Sequence, residues 1–97
     1  MKRNEVLDAA KKCVSGDREQ DYGNPENNFR TIANLWSDYL YAKGCPVDIE
    51  PKDVAAMLAL LKVARIASGN AKTDNWIDLA GYAACGAELE GEENGVN

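Results

Sequence analysis

Hydrophobic residues recur at helical spacing in four separate stretches of the chain. In the first, from Glu5 to about Val14, they fall at i, i+3, i+4, i+7 and i+8, which is typical of a helix with one core-facing side. Asn4 can cap this helix, and Ser15-Gly16 can end it. The second helix is predicted from Pro25 to about Ala42, with six residues on its apolar side: Phe29, Ile32, Ala33, Trp36, Tyr39 and Leu40.

The third and fourth stretches should hold most of the core. The third runs from about Val54 to Ala67, after Pro51 in its first turn, and is apolar nearly all the way round, which predicts burial between neighbouring helices. The fourth starts with a cap at Thr73 and should fade near Leu89. No period-two alternation is long enough to predict a strand. The pattern therefore predicts an all-α protein, a four-helix antiparallel bundle.

One domain is expected at residues 1–89, followed by a flexible acidic tail at 90–97. A chain of 97 residues buries only about two-thirds of its unfolded surface, which favours completion of the bundle by a second copy. Small residues on the fourth helix fit close helix packing, either within the subunit or across such a homodimer.

Composition excludes several classes of function. The net charge of -5 disfavours binding to nucleic acid, although a small anion neutralised by a divalent metal stays compatible with it. The absence of histidine removes histidine-based catalysis and histidine metal ligands. Three cysteines without metal-ligand spacing indicate reduced thiols and the cytoplasm. The longest apolar run contains Lys62 and Arg65 and is too short to cross a membrane.

A cluster of charged residues is expected where the third and fourth helices meet. Asp74, Asp78 and Tyr82 share one helix face at four-residue spacing, opposite Lys62 and Arg65. The two carboxylates could reach one divalent ion, and the two cations could face a bound phosphate. Alternatively, the cluster is a structural ion-pair network, Asp74 serves the helix dipole, and Tyr82 belongs to the core.

The loop from Asp17 to Glu26 is a second candidate region. Asp21 or Glu19 could complete a metal shell, Tyr22 offers a ring for stacking, and Gly23 allows unusual backbone dihedrals. A polar turn leading into a well-capped helix explains the same residues without any function.

Four segments carry a family resemblance that covers about Asp17 to Ala84: DREQDYGNPENNF, WSDYL, PKDVAAMLALLKVARI and DNWIDLAGYAA. They resemble a family of small phage and prophage proteins without established function. More remotely, the helix pair is similar to the all-α nucleoside triphosphate pyrophosphohydrolases of the MazG type. That resemblance implies a MazG-like bundle, a homodimer, and acidic motifs E-E-x-x-E and E-x-x-D that bind Mg²⁺ and activate water for attack on a nucleotide.

The MazG resemblance implies roles for several residues, but the sequence departs from the MazG pattern in one of its two acidic motifs. Asp78 takes the place of the aspartate in E-x-x-D, and Asp74 lies one turn before it. Where those enzymes have E-E-x-x-E, this chain has Lys62 and Arg65, so further metal ligands would have to come from elsewhere, such as Asp21, Glu19 or Asp53.

Two functional hypotheses follow. In the first, a phage enzyme of nucleotide metabolism acts in the cytoplasm of the bacterial host. Its Mg²⁺ would be held by Asp21, Asp74 and Asp78, with Asp74 and Asp78 catalytic; phosphate would contact Lys62 and Arg65, and the nucleotide would contact Tyr22, Gly23 and Tyr82. In the second, a non-catalytic phage accessory protein binds a nucleotide or a host protein, and its charged cluster is structural.

Overall fold

The computed structural model describes residues 1–15, 25–69 and 72–93. These contain four α-helices: α1 (Arg3–Ser15), α2 (Pro25–Ala42), α3 (Pro51–Ala67) and α4 (Thr73–Glu93). No β-strand occurs in these three ranges. The prediction of an all-α protein with four helices is confirmed.

The helix ends differ from the predicted ones at α1 and α4. α1 begins at Arg3, so Asn4 lies inside the helix and is not its cap. The backbone N–H of Lys2 donates to the Glu5 carboxylate at 3.0 Å, so an acidic side chain in the first turn serves this helix end. α4 includes Thr73 and continues to Glu93, four residues past the predicted end at Leu89.

Hydrogen bonds close both the turn after α2 and the entry to α3. Gly44 has a φ of 84°, which glycine adopts readily, and the next N–H, at Cys45, donates to the Leu40 carbonyl at 2.8 Å. At the start of α3 the Glu50 N–H donates to the Asp53 carboxylate at 2.9 Å. The predicted place of Asp53 in the first turn is confirmed.

Ser37 holds the connector between α2 and α3 against α2. Its hydroxyl donates to the Ala33 carbonyl and accepts the Ile49 N–H, both at 2.8 Å. A backbone N–H withdrawn from water needs such an acceptor, because leaving it unpaired costs free energy. Ser37 therefore ties Ile49, two residues before α3, to α2.

The helices pack in the order α1, α4, α3, α2, and the contact between α3 and α4 is the most extensive. The main core lies where α2, α3 and α4 meet, with fully or nearly buried Phe29, Ala33, Val54, Ala55 and Leu89. A Cβ placed on Gly86 would lie 3.3 Å from the Cβ of Ala55. The absence of a side chain at Gly86 thus lets α3 and α4 approach closely.

α3 is covered on one side only, contrary to the expectation from its all-round apolar sequence. Val54 and Ala55 are buried, whereas Met57, Leu60 and Leu61 on the far side are exposed. The prediction for α2 is wrong at one position, because Tyr39 is 63% exposed. Its ring lies under the Lys43 ammonium, 5.7 Å from nitrogen to ring centroid, a contact that suits a partly solvated aromatic residue.

We expect Ser37→Ala to lower the free energy of unfolding by about 1 to 2 kcal/mol, because the Ile49 N–H loses its acceptor. Urea denaturation measures the change. Ser68→Ala is the matched control, since the exposed Ser68 hydroxyl only donates to the Arg65 carbonyl and should change stability by less than about 0.5 kcal/mol. Equal effects of the two substitutions would contradict this role of Ser37.

We expect Gly86→Leu to destabilise the protein by about 1 to 3 kcal/mol, because its side chain must displace Ala55 or separate α3 from α4. Ala87→Leu introduces the same side chain at the next, exposed position and should leave the thermal midpoint nearly unchanged. Comparing the two midpoints tests the close approach, which would be refuted if Gly86→Leu unfolded no earlier than Ala87→Leu.

Candidate functional site

An ion pair between α3 and α4 forms the centre of the charged cluster. The Lys62 ammonium nitrogen lies 3.0 Å from an Asp78 carboxylate oxygen. Only 17% and 16% of the two side chains are exposed, so both charges are largely withdrawn from water. A charge in such a position requires a partner, and the prediction that Asp78 is paired is confirmed.

Arg65 contacts an amide and not the predicted carboxylates. Its Nε donates to the Asn75 side-chain oxygen at 3.2 Å, which links α3 to the first turn of α4. Asn75 is 4% exposed, while Arg65 itself lies at the surface. This hydrogen bond satisfies part of a buried amide and leaves the other guanidinium nitrogens available to solvent.

Asn75 is the member of the cluster that sequence reasoning missed. Uncharged amides do not stand out in a charge pattern, and Asn75 lies between the conspicuous Asp74 and Asp78. Asn75 precedes Asp78 by three residues and Tyr82 by seven, which is the spacing of residues on one helix face. This spacing could have placed Asn75 in the cluster.

Asp74 and Tyr82 do not join the ion pair in the way the spacing suggested. Asp74 is exposed in the first turn of α4, where its charge favours the positive end of the helix dipole. Tyr82 is half-buried and packs against the main core. The structure therefore brings together Lys62, Asp78, Arg65 and Asn75 at the boundary between α3 and α4.

The loop candidates Glu19, Asp21, Tyr22 and Gly23 lie outside the described residues. Within residues 1–15, 25–69 and 72–93, no three acidic or cysteine side chains come close enough to hold a metal ion. The magnesium site predicted from Asp21, Asp74 and Asp78 stays a prediction, because one of its three ligands is not described.

The donor set around Asp78 does not by itself fit a divalent cation. Magnesium prefers oxygen ligands, whereas this carboxylate is already paired with the Lys62 ammonium at 3.0 Å. A second cation at the same carboxylate would be repelled by that ammonium unless Lys62 moved away. The arrangement instead neutralises two largely buried charges between α3 and α4.

Comparison with known proteins places the chain in a family. Residues 5–90 match a domain of unknown function, DUF6378. The chain belongs to the DUF6378 family. The predicted relationship to phage proteins without established function is confirmed, whereas the MazG resemblance stays a prediction.

Two mycobacteriophage proteins are similar to this DUF6378 chain. The Gene 55 protein of Mycobacterium phage L5 is 41% identical over 78 residues, which cover 80% of the chain and 47% of the relative. The Gene 55 protein of Mycobacterium phage D29 is 38% identical over 80 residues, covering 82% of the chain and 50% of the relative. The chain thus spans about half the length of these relatives. No solved structure matches it significantly.

None of the helices in the described part of the DUF6378 chain is both long and apolar enough to traverse a bilayer. This agrees with the expectation that the apolar run containing Lys62 and Arg65 is too short to cross a membrane.

We expect Asp78→Ala to lower the free energy of unfolding by about 1 to 3 kcal/mol, because it leaves the largely buried Lys62 ammonium without its carboxylate. This range lies between the effect of an exposed pair and that of a fully buried one. Asp74→Ala removes an exposed carboxylate from the same helix and should cost less than about 1 kcal/mol. Guanidinium denaturation of both variants makes the comparison, and an Asp78→Ala protein as stable as the parent would show that the pair is unimportant.

Proposed function

We propose that this DUF6378 domain is a non-catalytic phage accessory protein that binds a nucleotide or a host protein, and that its charged cluster stabilises the fold. The observation that supports this best is the ion pair between Lys62 and Asp78, at 3.0 Å and largely removed from water. Each of these residues would be needed for phosphate or metal chemistry, and each is already neutralised by the other.

The second cation of the cluster, Arg65, also makes a structural contact. Arg65 is oriented by Asn75, which is buried at the start of α4. An enzyme of nucleotide hydrolysis needs its positive groups directed at the phosphates in the transition state, where they stabilise developing charge. Here the Nε of the guanidinium is bonded to a neighbouring helix, and this contact supports a structural role for Arg65.

The association with phage supports the setting of the proposal. Both similar proteins named above are encoded by mycobacteriophages. We place the domain in the cytoplasm of an infected bacterium, where the thiols of its three cysteines would stay reduced. We further propose that its helices form a MazG-like bundle that a second copy completes, as the sequence resemblance implies.

A Mg²⁺-dependent nucleoside triphosphate pyrophosphohydrolase is the second candidate. The observation that favours it is the placement of Asp74 and Asp78 one turn apart on α4, with Lys62 and Arg65 on the adjoining helix. In that function Asp21, Asp74 and Asp78 would hold the metal, and Tyr22, Gly23 and Tyr82 would contact the nucleotide. Lys62 would first have to release Asp78.

Nucleotide turnover distinguishes the two candidates. The protein is incubated with each common ribo- and deoxyribonucleoside triphosphate and Mg²⁺ or Mn²⁺, and nucleotide loss is followed by anion-exchange chromatography. We expect no loss above the rate in buffer. Isothermal calorimetry of the same mixtures then reports whether any nucleotide binds without being hydrolysed.

The control is Asp78→Asn, which keeps the size of the side chain and removes its charge. Metal-dependent turnover by the parent, lost in a folded Asp78→Asn variant, would overturn the non-catalytic proposal and establish the hydrolase. Saturable nucleotide binding with no turnover would identify the ligand of an accessory protein. Absence of both would leave binding to a host protein, which cross-linking in infected cells can test.

A further inference from the structure

α1 is attached to the rest of the described structure along one side. Its substantial contact is with α4, and none of its residues belongs to the main core. Ala10 is its one fully buried residue, and four residues on the same side are half-buried: Val6, Ala9, Cys13 and Val14. The remaining eight positions of the helix are exposed. α1 therefore gains little stability from the burial of apolar surface.

Polar contacts do not reinforce this attachment. The Glu5 carboxylate accepts the Lys2 N–H, and the Ser15 hydroxyl donates to the Lys11 carbonyl, so both hydrogen bonds stay within the N-terminal segment. Among the described residues, no hydrogen bond or ion pair joins α1 to α4. The boundary between α3 and α4, by contrast, carries an ion pair that is largely removed from water. In the described part of the chain, α1 is thus held by apolar packing.

The contact between Val14 and Gly81 shows where α1 docks. A Cβ placed on Gly81 would lie 3.3 Å from Cγ1 of Val14, so Val14 occupies the space next to the missing side chain. Ile77 and Asp78 precede Gly81 by four and three residues, which places them beside it on the surface of α4. α1 therefore covers a side of α4 that adjoins the ion pair of Asp78 with Lys62.

We propose that α1 is a strap on α4, which leaves and returns while α2, α3 and α4 stay packed. Its release uncovers the Gly81 side of α4. Elements with few buried apolar contacts open at a lower free energy than the core of the same protein. A helix of 13 residues is marginal in water without a partner, so α1 unwinds as it leaves. This motion does not depend on what the domain binds.

Amide hydrogen exchange of the intact chain, followed by NMR, tests the strap. After correction for intrinsic rates, we expect the α1 amides to exchange at least about 100-fold faster than the slowest α3 amides, because α1 opens without the core. Low concentrations of urea should change the α1 rates little, since release of one helix exposes little surface. The slowest α3 amides should accelerate steeply, because they exchange through global unfolding.

Ser37→Ala separates release of α1 from global unfolding. This substitution removes the acceptor of the Ile49 N–H, far along the chain from α1, and should accelerate the slowest α3 amides about 5- to 30-fold. A strap opens without breaking that hydrogen bond, so the α1 amides should keep the rates of the parent. Equal acceleration of the α1 and α3 amides would show that α1 opens only when the whole domain unfolds, and would overturn the strap.

Val14→Ala tests the contact with Gly81. We expect the α1 amides to exchange at least about fivefold faster, because docked apolar surface is lost, even though alanine favours the helix itself. Leu7→Ala is the matched control. Leu7 also lies on α1 but is 61% exposed, so its truncation should leave α1 exchange no faster than in the parent.

Two further outcomes would overturn the proposal. If the α1 amides of the parent exchange as fast as those of an unstructured peptide, α1 is not docked and there is no strap to release. If Val14→Ala exchanges no faster than Leu7→Ala, the contact at Gly81 does not hold α1 in place. Circular dichroism verifies that each variant keeps the helical content of the parent.

Discussion

The close approach of α3 and α4 is the constraint on which the remaining structure depends. Gly86 presents no side chain to Ala55, so the two helix backbones come near enough to bury Val54 completely. At that separation the side chains of Lys62 and Asp78 meet directly, and neither needs a bridging group. The same packing directs the opposite side of α3 away from the core. One glycine thus links the core, the ion pair and the exposed face.

Periodicity predicted the helices well, because amphipathic spacing records which side of a helix avoids water. The apolar side of α2 was identified at Phe29 and Ala33, both buried. The prediction from periodicity was wrong at Tyr39. A tyrosine at the edge of an apolar stripe can contact a neighbouring cation at the surface, and so need not pack in the core. Helix ends were less predictable, as Asn4 shows, because one local hydrogen bond can move a helix start.

In the charged cluster, the ion pair could be predicted because burying an unpaired charge costs free energy. A carboxylate beside Ile77 and Leu79 has to find a cation, and this argument led to the pair of Asp78 with Lys62. No comparable cost distinguished an aspartate from an asparagine as the partner of Arg65, and Asn75 is that partner. Nor can periodicity tell whether an all-round apolar helix is enclosed by its own chain, which is why the exposure of α3 was unexpected.

The order in which the helices pack has a consequence for how the domain is made. α3 and α4 are neighbours in sequence, so their contact closes a short loop and can form early. α1 packs on α4, from which most of the chain separates it. Among these four helices α1 is synthesised before its packing partner α4, so α1 can dock only after α4 has been made.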